Sequence, residues 1–68
     1  SNLPFCRLYM EQEKLIEYAK KVIAEKPELK EAVISLIELC NDEIAEGNSP
    51  QNERSLCYDS IRQLTEKE

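Results

Sequence analysis

The sequence predicts an all-α fold: a small antiparallel three-helix bundle, up-down-up. Three observations carry that reading. Apolar residues recur at helical spacing in three separate stretches. The one glycine and two of the three prolines fall between those stretches. The breaks are so short that consecutive helices must lie side by side and antiparallel. Helices are expected over about residues 5 or 11 to 25, 27 to 46 and 50 to 65, within a single domain spanning 10–68. A chain of 68 residues has room for no more than one domain.

Ser1-Asn2 reads as the remnant of a removed tag, and residues 3–9 as an N-terminal arm or an extension of the first helix. Leu3 to Tyr9 are apolar and aromatic, with Arg7 the only charge. Met10 opens a charged, helix-favouring run and is one candidate for the native start. On the alternative, Phe5 and Leu8 continue a helical face and Pro4 falls in the first turn.

The first helix is defined by Leu15, Ile16, Ala19, Val22 and Ile23, which recur at i, i+1, i+4, i+7 and i+8. It is expected to stop near Lys26 in a turn, a kink being the competing reading, because Pro27 disfavours helical dihedrals in the residue before it. Pro27 can then restart a helix, with Glu28 and Glu31 in a first turn where negative charge suits the dipole.

In the second helix Leu29, Ala32, Val33, Leu36, Ile37, Leu39, Cys40 and Ile44 cover an arc of roughly 160° at 100° per residue. That is wider than one neighbour requires, so this helix is expected to be central. Ile34 falls outside the arc. The helix should end at Gly47, a natural left-handed terminator. Ser49 suits an N-cap and Pro50 the first position of a third helix. Cys57, Ile61 and Leu64 form that helix's stripe, flanked by Leu56 and Tyr58. It is the least apolar of the three, and Thr65 to Glu68 are expected to fray. Residues 15–25 and 36–46 are identical at six of eleven positions. The echo fits two equivalent helices, each followed by a turn.

Composition narrows function more than it assigns it. The net charge is −5 and histidine is absent. Without a basic patch, direct binding to nucleic acid or an acidic membrane is not expected. No apolar run approaches the ~20 residues of a membrane span, and no signal peptide is evident, so a cytoplasmic location is expected. The chain lacks the commonest general base and metal ligand. It has no glycine-rich phosphate loop and no nucleophile–base pair. A bundle of this size has little room for a pocket of several hundred Å³. No catalysis, cofactor or metal is therefore expected.

Residues 27–49 carry six acids against the single cation Lys30, so the middle helix holds the whole charge imbalance. Glu38, Asp42 and Glu46 stand at i, i+4 and i+8, where they repel one another near a helix end that already disfavours anions. They form a solvated stripe, relieved by Arg54, Lys20 or Lys21, or a docking stripe for a basic partner. Ile34, Tyr18 and Tyr58 are further candidate contacts, tyrosine offering large contact area at low entropy cost.

Cys40 and Cys57 lie eight and nine residues either side of Asn48 and so sit at nearly equal height on adjacent helices. They read as small buried hydrophobes. As a redox pair they would close a loop of about 16 residues, worth ~3 kcal/mol by loop entropy.

The expected function is a non-catalytic, acidic, helical protein–protein interaction module that self-associates as a homodimer, since a domain this small is marginal alone. The alternatives are an acidic inhibitor or nucleic-acid mimic that binds a basic protein, and a thiol redox module using Cys40 and Cys57.

Overall fold

In the computed structural model, which describes residues 11–67, three helices pack as the sequence predicts: α1 Gln12–Glu25, α2 Lys30–Ala45 and α3 Pro50–Lys67. The expectations for Pro4, Phe5, Leu8 and Met10 lie outside the described residues. The described residues contain no strand.

Lys26 ends α1 with φ −136° and ψ 76°, the non-helical geometry that the following proline imposes. Its N–H still reaches the Val22 carbonyl at 2.7 Å. Pro27–Leu29 then form one 3₁₀ turn, closed by Leu29 N–H to the Lys26 carbonyl at 2.9 Å. The predicted α-helical restart at Pro27 is thus corrected: α2 begins three residues later, at Lys30. A tight 3₁₀ turn lets the chain reverse direction and still satisfy its first free backbone groups.

The second break follows the sequence closely. Gly47 has φ +109°. Its N–H donates to the Ile44 carbonyl at 3.0 Å, and the Asn48 N–H to the Glu43 carbonyl at 3.1 Å. Together these two bonds are a Schellman motif. The apolar contact that often seals this motif is replaced by a hydrogen bond from Asn48 Nδ2 to Glu43 Oε1, 2.6 Å. A Cβ on Gly47 would meet nothing within 4 Å, so the backbone angle alone is what asks for glycine. Ser49 Oγ then accepts the Asn52 N–H at 3.5 Å, a long cap bond, and Pro50 occupies the first helical position.

The core is built from Leu15, Ala19 and Val22 of α1, Leu29 of the turn, Val33 and Cys40 of α2, and Cys57 and Ile61 of α3. Val33 and Ile61 are completely buried and form its centre. The heaviest packing is α2 on α3, and α3 also packs along α1. The third helix therefore ties the bundle together as much as the second does. It also runs two residues past its expected end. Lys26 Nζ donates to the Thr65 carbonyl at 3.0 Å, Thr65 Oγ1 to the Arg62 carbonyl at 2.6 Å, and Arg62 pairs with Glu66 at 3.0 Å, all within the last turns. The broad arc predicted for α2 is not fully used: Ala32 and Leu39 are exposed.

Candidate functional site

The side of the α2–α3 hairpin turned away from the α1 packing carries a groove of about 220 Å³. Cys40 and Cys57 form its floor, and Leu36, Leu39 and Leu56 its apolar walls. Glu43 and Glu53 line it from opposite helices, with Ser60. Leu39 is 55% exposed and Leu56 59%. Both are far above what packing in the core would leave, and they stand on the two sides of the same depression.

Helix geometry explains why these two leucines miss the core. Leu56 and Tyr58 flank Cys57 about 100° to either side. Tyr58 turns toward α1, and Leu56 turns toward the groove. On α2 the core is centred on Val33 and Cys40, and Leu39 lies about 100° from Cys40, on the side where no described helix packs. The sequence contained this signal: Leu39 stood at the edge of its arc and Leu56 at the edge of its stripe. What the sequence did not give was that the two edges face each other.

Helix rotation also places the acids. Glu46 lies about 20° around α2 from Leu39 and Asp42 about 60°, both on the side away from Cys40, and Glu38 about 100°. None of the three lines the groove; the α2 acid that does is Glu43. On α3, Asp59 lies about 60° from Leu56. One cation, Arg54, lies about 60° around α3 from Cys57 and acts on Cys40 of the groove floor. Arg62 is about 120° around α3 from Leu56, and Lys30 is on the far side of α2 from Leu39. Lys67 shares the line of Leu56 but lies eleven residues along, about 16 Å. The ion pairs among the described residues join Arg62 to Asp59 at 3.8 Å and to Glu66 at 3.0 Å. Among the described residues neither of these pairs reaches Glu38, Asp42 or Glu46.

Cys40 and Cys57 are buried free thiols, hydrogen-bonded to each other. The equal height inferred from the sequence thus brings them into contact. Burial pushes the Cys57 thiol up to about 11, and the adjacent Cys40 adds to the rise by charge repulsion and by the hydrogen bond. Cys40 is also raised by burial, against the opposing pull of Arg54 and of the Cys57 hydrogen bond. Both sulfurs therefore carry their protons at neutral pH.

The other candidates lie elsewhere. Tyr18 and Tyr58 stack on each other across α1 and α3, ring centroids 4.4 Å apart and planes tilted by 42°. Each is half-buried against the core. Burial raises the Tyr18 hydroxyl, and the neighbouring Tyr58 adds to it, while a hydrogen bond to Thr65 opposes the shift. Ile34 is 39% exposed and about 140° around α2 from Leu39, on a separate surface.

Among the described residues no three carboxylates or thiols come together as a metal-binding group. Among the same residues no buried side-chain nitrogen or oxygen lacks a partner, and no helix is long and apolar enough to cross a membrane. Comparison with protein-family models, with curated proteins and with solved structures gives no match for this chain.

Proposed function

We propose that the protein is a non-catalytic protein–protein interaction module whose docking surface is the outer face of the α2–α3 hairpin. One observation carries the reading: Leu39 and Leu56, each more than half exposed, face each other over an apolar groove. Large apolar side chains scattered singly on a surface are ordinary, whereas a pair framing a concave site is what a partner covers. The groove is lined mainly by apolar side chains, and its two thiols are poor nucleophiles while protonated, which favours docking over thiol chemistry.

Self-association is the reading that the chain's small size suggested, and the acids bear on it. Two copies meeting groove to groove would set Glu43 and Glu53 against their own images. That repulsion favours a different protein as the partner on this face.

A photo-crosslinking amino acid placed at position 39 or 56 in the source cells tests the proposal. Adducts are expected at those two positions and not at 17 or 20, which are exposed on α1. Equal yields at all four positions, or none at 39 and 56, would overturn it. An adduct of twice the chain's own mass would instead assign the face to a homodimer.

A further inference from the structure

The groove has a shape and a sign, and together they select a class of occupant. Its floor and walls are apolar, from Leu36 and Leu39 across the thiols to Leu56. It runs along α2 from Leu36 to Glu43, seven residues, or about 10 Å. A helix with apolar side chains at i, i+3 or i+4, and i+7 presents a ridge of the same length. Two antiparallel helices with an open seam between them are suited to receive a third, ridge into groove.

The rim supplies the sign. Glu43 and Glu53 stand within the lining, one on each helix. Asp42 and Glu46 on α2 lie outside the lining, and Asp59 on α3 is paired with Arg62. Among the cations of the two helices Arg54 acts on Cys40 of the floor, Arg62 is engaged by Asp59 and Glu66, Lys30 is turned away, and Lys67 lies about three turns distant. An acidic helix, an anionic lipid surface and a nucleic acid would each meet the negative charge of Glu43 and Glu53 here. So would a second copy of this face.

We propose that the groove binds a cationic amphipathic helix of a partner protein. Its apolar side chains would lie between Leu39 and Leu56, and its lysines or arginines beside Glu43 and Glu53. This rests on the interaction-module reading and adds to it the chemistry of the partner. The apolar contacts supply most of the affinity, and the charges select the partner and speed its approach.

The test titrates the isotope-labelled full chain with three capped peptides of about four helical turns, followed by NMR. The first is an amphipathic leucine–lysine–alanine helix. The second replaces its lysines with glutamate. The third has the first peptide's composition in scrambled order. The lysine helix is expected to shift amides within 36–43 and 53–60. Its Kd should rise about tenfold when Leu39 and Leu56 are both replaced by serine. It should rise by a similar factor, about tenfold, between 50 and 300 mM NaCl, and about fivefold in the E43Q/E53Q double variant. These substitutions fall at partly or well exposed side chains, and unchanged circular dichroism would show the fold intact.

The proposal falls if the glutamate or scrambled peptide binds equally well, or if the shifts gather elsewhere. It falls in favour of a second copy if the same amides shift on simple dilution of the free protein. Cross-peaks from the Leu39 or Leu56 methyls to Phe5 or Tyr9 would give the groove to the chain's own first residues. Crosslinks at 39 and 56 without lysine-helix binding would leave the interaction module standing and remove only this partner chemistry. Absence of both would remove the two together.

Discussion

The two sides of α3 are built from similar residue types and reach different ends. Toward α1, Tyr58 stacks on Tyr18, Ile61 is fully buried, and Thr65 is tied to Lys26 and Arg62. Toward the groove, Leu56 is left in solvent and Glu53 faces Glu43 across an apolar seam. One side spends its apolar surface within the chain, and the other leaves it open. The difference teaches that amphipathic pattern alone does not tell a core residue from a docking residue. What decides is whether a helix of the same chain arrives to cover it.

The largest expected effect breaks the contrast most directly. Replacing Ile61 by alanine on the closed side should cost about 2–5 kcal/mol, transfer and cavity terms together, as for other buried aliphatic truncations. In a domain this small that is most or all of its stability. Replacing Leu56 by alanine on the open side should stay within about 0.5 kcal/mol, as for exposed positions generally. Urea unfolding followed by circular dichroism measures both. Comparable losses at the two sites would mean that the open face is part of the fold.

A second effect comes from the thiols, which lie between the two sides and belong to the core. Cys57 is raised from an ordinary 9.0 to about 11, first by burial and then by Cys40. The unfolded chain therefore releases this proton at lower pH than the folded one does. Between about pH 9 and 11 the folded state holds more protons, and stability must fall as pH rises. Below pH 9 the contribution is fully present. Cys40 and Tyr18, also raised by burial, act in the same direction. Urea midpoints at pH 8 and pH 10.5 should differ, and a C57A variant, though less stable at both, should lose less between them. An equal loss in the variant would place the alkaline sensitivity elsewhere.

Much of this fold was legible in the residues because its punctuation is explicit. Lys26-Pro27 and Gly47-Asn48-Ser49-Pro50 stop and restart helices by backbone chemistry that acts locally. The same local counting set Cys40 and Cys57 level with each other. What escaped depended on non-local geometry. The 3₁₀ turn at Pro27–Leu29 comes from how α1 must reverse onto α2. The exposure of Leu39 follows from where α3 stops covering α2. The Tyr18–Tyr58 stack needed two faces to be matched across helices 40 residues apart. Periodicity assigns a residue to a face, and packing then decides what that face meets.

The smallest effect sharpens the contrast at the acids. On the closed side, charges such as Arg62 sit beside opposite partners. On α2, Glu38, Asp42 and Glu46 stand one turn apart with no such partner among the described residues, in the half of the helix where the dipole opposes them. Two like-charge i, i+4 pairs cost about 0.2–0.5 kcal/mol each at low salt. Replacing the three by their amides should therefore raise stability by about 0.5–1 kcal/mol, an advantage that shrinks as salt screens the wild-type repulsion. The comparison of urea midpoints at 20 and 500 mM NaCl reads this directly. A variant less stable than wild type would mean that the acids hold the helix in a way their positions do not reveal. A variant that is more stable would mean that the chain carries a charge pattern its own folding opposes.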